Sequence, residues 1–206
     1  MIEQGTDEWR AERCGKVTAS RMGDLMARTK TGYGASRANY MAELIAERLT
    51  GQPADRFQSK EMQRGTETEP QARAAYVFLT NAEVTEVGFI KHPKIADSGA
   101  SPDGLVGEDG LIEIKCPNTA THIDTLLSGA IDKHYNLQMQ WQMACTERDW
   151  CDFVSFDPRM PAHLQTFRKR VSADPVLIGE MQLEVLKFLS EIEDKVAALQ
   201  AIVPET

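Results

Sequence analysis

The stretch Ser101-Pro-Asp-Gly-Leu-Val-Gly-Glu-Asp-Gly-Leu-Ile-Glu-Ile-Lys-Cys-Pro117 constrains the fold of this chain more than any other. Residues 111–116 are short, apolar and rich in isoleucine, the pattern of a strand. Gly107-Glu-Asp-Gly110 in front of them holds an Asp-Gly pair, which favours a tight hairpin turn with positive φ. Residues 98–106 therefore form a strand antiparallel to 111–116. Successive side chains alternate faces, so Glu113 and Lys115 project together while Ile112, Ile114 and Cys116 point into a core. The hairpin returns Asp103 beside the first pair.

The surrounding pattern predicts an α/β fold, a mixed sheet flanked by helices. Residues 18–26 read as a capped helix, and 37–49 as a second, stopped by Thr50-Gly51-Gln52-Pro53. Ala72, Ala75, Tyr76 and Leu79 share one face of a helix over 66–79, entered from a turn at Gly65, with Glu67 and Glu69 in its first turn. Residues 84–90 and 150–156, and a segment near 164–171, read as strands; about 120–129 and 136–146 read as helices, and a long amphipathic helix starts at Asp174. With 206 residues and 42% hydrophobic content, one domain is expected. It comprises a helical part (about 1–80), a sheet core (about 81–171) and a C-terminal helix (about 174–200).

Two carboxylates on adjacent strands are hard oxygen donors suited to octahedral Mg²⁺, with Mn²⁺ as a substitute. Such an ion activates a water and neutralises charge on a phosphodiester, while Lys115 either orients that water or stabilises the transition state. The plain alternative is a solvated hairpin in which Lys115 only pairs with Glu113. Against it stands the cost of an acid and a base inside an apolar strand.

The net charge of −8, from 23 basic and 31 acidic residues, argues at first against a nucleic-acid partner. Placement matters more than the sum. Glu180, Glu184, Glu191, Glu193 and Asp194 gather in the last helix, while Arg10, Arg13, Lys16, Arg21, Arg28 and Lys30 make the N-terminal segment basic, as one anion-binding face would. No run approaches the roughly 20 apolar residues of a membrane span, and the N-terminus is too polar for a signal peptide, so a soluble, cytoplasmic protein is expected. Cys14, Cys116, Cys145 and Cys151 show no CxxC spacing and read as free thiols. His92, His122, His134 and His163 lack i, i+3 or i, i+4 partners and read as structural or surface residues.

Pro102-Asp103 followed by Glu113-Ile-Lys115 resembles the PD-(D/E)xK nuclease motif. Further blocks, Glu3-Gln-Gly-Thr-Asp-Glu-Trp9, Arg13-Cys-Gly-Lys-Val-Thr-Ala-Ser20, Ser101-Pro-Asp-Gly-Leu105, Glu113-Ile-Lys-Cys-Pro117, Gln138-Met-Gln140 and Asp157-Pro-Arg-Met160, are similar to the lambda-type phage exonucleases of the YqaJ-like viral recombinase family. The resemblance implies a 5′→3′ exonuclease that digests one strand of linear duplex DNA, leaves a 3′ overhang for a single-strand annealing protein, and encircles DNA as a homotrimer in a bacterial host. It assigns Asp103, Glu113 and the Ile114 carbonyl to metal, Lys115 to the attacking water, Glu69 and Gln138 to supporting roles, and Arg13, Ser20 and Ser101 to a 5′-phosphate pocket. Met62 falls at an apolar wedge for the duplex end. On the residues alone, Glu69 reads first as a partner of the helix dipole, Gln138 as part of a polar helix face, and Arg13 as a solvated charge. A PD-(D/E)xK endonuclease or nickase, and a non-catalytic DNA-binding subunit, are the rival functions.

Overall fold

The computed structural model describes residues 2–54 and 59–202. In chain order its elements are α1 (Asp7–Arg13), β1 (Val17–Thr18), α2 (Met22–Leu25), β2 (Arg28–Thr29), β3 (Gly32–Tyr33), α3 (Ala35–Thr50), α4 (Lys60–Thr80), β4 (Val84–Thr85), β5 (Ile90–Lys91), β6 (Ser98–Ala100), β7 (Gly104–Val106), β8 (Gly110–Lys115), α5 (Thr119–Ser128), α6 (Lys133–Thr146), β9 (Trp150–Phe156), β10 (Thr166–Ser172) and α7 (Pro175–Gln200). Among the described residues no helix is long and apolar enough to cross a membrane.

β8 is the central strand of a mixed five-stranded sheet of order β10-β9-β8-β7-β4. It pairs antiparallel with β7 and parallel with β9. Parallel neighbours need a crossover, and α5 and α6 provide it. Alternation sorts the strand as its sequence requires. Ile112 and Ile114 pack with Val154 and Phe156 against Ala72 and Tyr76 of α4. Leu111 faces the opposite way with Cys151, Phe153 and the α6 residues Met139 and Met143. Glu113 shares that second face, so α6 supplies its partners. A further core joins α2, α3, α6 and α7 through Met22, Tyr40, Leu44, Trp141 and Phe188.

The single strand expected over 98–106 is two strands in two sheets. β6 lies between β1 and β5 in a three-stranded sheet, whereas β7 joins the five-stranded one. The break falls at Pro102, which has no N–H for a ladder; its carbonyl accepts instead from Gln4 Nε2 at 2.9 Å. The strand expected over 84–90 divides for the same reason, since β4 follows β7 and β5 follows β6.

The helix expected over 18–26 shrinks to a 3₁₀ turn and α2, because Thr18 is extended (φ −120°, ψ 148°). Its N–H donates to the Tyr40 hydroxyl at 3.1 Å. The helix expected from Thr66 begins at Lys60, capped by Ser59 Oγ, which accepts the Met62 N–H at 3.2 Å. Gly65 and Glu69 therefore lie inside α4, not at its start. In the β7–β8 hairpin the positive φ belongs to Gly107 (55°), while Gly110 is already paired with Val106 in the strand.

Gly99 pairs with Thr18 on one side and Lys91 on the other. A Cβ there would stand 2.4 Å from the Phe89 ring and 2.5 Å from the Ile90 carbonyl oxygen, and the latter cannot rotate away. We predict that Gly99→Ala destabilises the protein by about 1–3 kcal/mol through overpacking. An unchanged denaturant midpoint would refute this close approach.

Candidate active site

β8 carries Glu113 to the α6 side of the sheet with only 1% of its surface exposed. A buried carboxylate must have its oxygens hydrogen-bonded. Oε1 accepts from Lys115 Nζ at 2.5 Å and from Gln138 Nε2 at 2.7 Å, and Oε2 accepts from Gln142 Nε2 at 2.6 Å. Burial pulls the Lys115 ammonium toward neutrality, yet Glu113 and Asp103 outweigh it and hold its pKa above the ordinary value. Lys115 is thus a cation here, able to donate but not to accept.

Where the chain passes from β6 to β7, Asp103 turns its carboxylate onto β8, and Oδ2 accepts the Ile114 N–H at 2.6 Å. Burial above all, then the charges of Glu113 and Glu69, push the Asp103 carboxyl well above the usual carboxylate range; Lys115 and the Ile114 N–H pull the other way. Glu69 is raised too, chiefly by burial, with Arg73 opposing and Glu113 adding. Its Oε1 accepts from Arg73 Nη2 at 2.7 Å, and Arg73 Nη1 reaches Glu86 at 3.0 Å. Two acids raised by burial and by neighbouring negative charge form a place where a cation is favourable. Among the described residues no three His, Cys, Asp or Glu side chains form a ready cage. The donor set, hard oxygens in small number, fits an ion such as Mg²⁺ that keeps several waters.

Trp9 Nε1 and Arg13 Nη1 both donate to Ser101 Oγ, at 3.0 and 3.2 Å, and the Arg13 guanidinium lies 4.1 Å from the Trp9 ring centroid. Ser101 is two residues from Asp103. One cleft of about 1080 Å³ is lined by Trp9, Arg13, Thr18, Met62, Glu69 and Asp103 among others. Ser20 stands exposed on the 3₁₀ turn Ala19–Arg21, and among the described residues it makes no hydrogen bond to Arg13 or Ser101.

The basic N-terminal segment is not one anion-binding face. Arg10 pairs with Asp7, Arg21 with Asp24 and Glu43, and Arg28 with Glu184 of α7. The last pair draws two segments that charge counting had set apart into one contact. Glu69, inside α4, has no first-turn dipole role; Glu61 occupies that turn. His92 Nδ1 accepts the Lys94 and Ile95 N–H groups, and His122 bridges Ser155 and the Leu164 carbonyl, both in structural roles. The four cysteines are free.

Sequence reasoning missed Gln142, whose signal was its position one helical turn after Gln138. It also missed Arg64, whose Nη2 donates to the Cys116 and Pro117 carbonyls at 3.2 and 2.5 Å and ties α4 to the end of β8.

A mixed sheet whose central strand carries an acid and, two residues on, a lysine, with a second acid returned by the adjoining hairpin, is the arrangement of the PD-(D/E)xK nucleases. The sequence profile of the YqaJ-like viral recombinase domain matches residues 8–149, and the chain belongs to that family. It is similar to an alkaline exonuclease from Laribacter hongkongensis, 56% identical with a TM-score of 0.89 over 95% of this chain and 96% of that one. The same enzyme has been solved in complex with dAMP. The kinship across nearly the whole of both chains is thus to a nuclease. A phage-related exonuclease from Haemophilus somnus 129PT shares the fold at 17% identity and a TM-score of 0.74, over 89% of this chain and 96% of that one. An uncharacterized protein of Acanthamoeba polyphaga mimivirus is 27% identical over an alignment of 167 residues that covers 75% of this chain and 29% of that longer protein.

The raised Asp103 pKa has a defined sign. Above its unfolded value, near 4, the unfolded chain releases a proton that the fold retains, so Asp103 subtracts stability as pH rises and does so fully above its folded pKa. We predict that Asp103→Asn, which keeps an acceptor for the Ile114 N–H, raises the metal-free unfolding midpoint at neutral pH while lowering hydrolysis by roughly 100-fold or more. A lowered midpoint in chelator would contradict the charge repulsion.

Proposed function

We propose that the protein is a magnesium-dependent 5′→3′ exonuclease that digests one strand of linear double-stranded DNA and leaves a 3′ overhang for a single-strand annealing protein. One observation carries this: Arg13 and Asp103 line the same cleft, so a cradle for an anion lies beside the carboxylates. Arg13, oriented by Trp9 and Ser101, presents planar donors to a terminal phosphate. Ser20 is the third member of this pocket. A 5′ end anchored there brings the adjoining phosphodiester to Asp103, Glu113 and Lys115, which favours action at ends over an endonuclease or nickase.

Asp103, Glu113 and the Ile114 carbonyl hold the metal. In a strand a residue's C=O and N–H leave by the same edge, and Asp103 stands at the edge of the Ile114 N–H. Bound there, Mg²⁺ or Mn²⁺ supplies Lewis-acid activation of water and of the phosphoryl group. Lys115 donates to the attacking water, Gln138 fixes Glu113, and Glu69 adds negative charge on the α4 side. Met62, 59% exposed on the same cleft, meets the duplex end. The whole chain, 1–206, acts as one nuclease domain in the host cytoplasm, in a phage or prophage setting. A homotrimeric ring with a basic channel accommodates the net charge of −8, because acidic outer surfaces limit non-specific contact with nucleic acid.

Linear duplex DNA labelled separately at each end is expected to lose label from the 5′ end first, only with divalent metal, while closed circular duplex stays intact. Cutting of the circle would replace the exonuclease with an endonuclease. Lys115→Ala is expected to lower hydrolysis at least ~100-fold with end binding retained; full activity would refute the mechanism. Arg13→Ala is expected to slow digestion of 5′-phosphorylated ends by about 10- to 100-fold, the worth of a charge-assisted hydrogen bond, with little change on 5′-hydroxyl ends. Equal losses on both would remove the phosphate pocket.

A further inference from the structure

Gln138 and Gln142 lie one turn apart on α6 and grip the two oxygens of one carboxylate. Their settings differ. Gln138 is partly exposed, whereas Gln142 has none of its surface exposed, and its Oε1 is buried with no hydrogen-bond partner among the described residues. For packing alone this is a poor choice, since an unsatisfied buried carbonyl forfeits its hydration without a replacement and an apolar side chain of similar shape would avoid it. The orientation of the amide is fixed, because flipping it would set its oxygen against Glu113. What Gln142 gains in return is a single 2.6 Å bond to Glu113 Oε2.

The two oxygens of Glu113 are therefore not equivalent. Oε1 is shared by Gln138 and by Lys115, whose side chain is 27% exposed, so this is the oxygen that a cation replacing the lysine would meet. Oε2 is sealed behind the fully buried amide. We propose that Gln142 is a specificity-determining residue for the metal. By holding Oε2 it keeps Glu113 a one-oxygen ligand, which suits a small octahedral cation and disfavours the larger calcium ion, whose coordination takes both oxygens of a carboxylate readily. Gln142 acts through Glu113 and is a positioning residue. The proposal rests on the metal-dependent reading above, with Asp103 and Glu113 as ligands.

The test is calorimetric titration of the full-length protein with Mn²⁺ and with Ca²⁺, each metal alone and without DNA. Wild type is expected to prefer Mn²⁺. In Gln142→Met, which keeps the length and loses the donor, the Mn²⁺ to Ca²⁺ affinity ratio is expected to fall about 10-fold or more, the usual scale for partners of metal ligands. An unchanged ratio, with or without a lower Tm, overturns the proposal and leaves Gln142 a packing residue. If Gln142→Met does not fold, Gln142→Leu, which likewise lacks the donor, is held to the same two outcomes. Asp103→Asn separates the two levels: persistence of full Mn²⁺ binding in that variant removes the metal site itself, whereas its loss beside an unchanged ratio in the Gln142 variants sinks only the present inference.

Discussion

A carboxylate buried in the middle of a sheet governs this structure. Glu113 sits in β8 between Ile112 and Ile114, with the strand paired on both sides. Such a group is tolerable only if every oxygen meets a donor, and the donors come from fixed places. Lys115 is on the same face of the same strand, and Gln138 and Gln142 are one turn apart on α6. This couples the helix to the strand in register as well as in distance. A shift of α6 by one residue would replace Gln138 and Gln142 with apolar or misdirected side chains and leave the acid bare.

The second constraint is the passage of the chain between two sheets at Ser101-Pro102-Asp103. Because Pro102 cannot extend a ladder, three residues are released from pairing where the sheets meet. Ser101 goes to Trp9 and Arg13, and Asp103 goes to the Ile114 N–H. The cradle proposed for a phosphate and the carboxylate proposed for the metal are thereby set at a spacing fixed by the backbone. Arg64 completes the frame from the other side, where it ties α4 to the carbonyls that end β8 and so holds Glu69 over the same cleft.

Much of the site was legible in the sequence because strand alternation is a strong rule. Glu113 and Lys115 had to share a face, and the hairpin had to return Asp103. Helical partners were harder. A glutamine among Leu137, Met139 and Met143 reads as a polar face, and nothing local says that Gln142 is sealed inside. The N-terminal charges misled for a similar reason. Counting arginines reveals a basic segment, but not that Arg21 is claimed by Glu43 or Arg28 by Glu184, which is 156 positions away.

By itself, then, the sequence determined the central hairpin, the faces of β8, the helix stop at Gly51, and the family to which the chain belongs. These depend on periods of two or 3.6 residues and on turn chemistry, which act over a few positions. Only the tertiary structure decided that 98–106 serves two sheets, that α4 begins at Lys60, and that Glu113 has a buried donor on Oε2. Those outcomes depend on contacts between residues far apart in the chain, where packing and the need to satisfy buried polar atoms outweigh local preference.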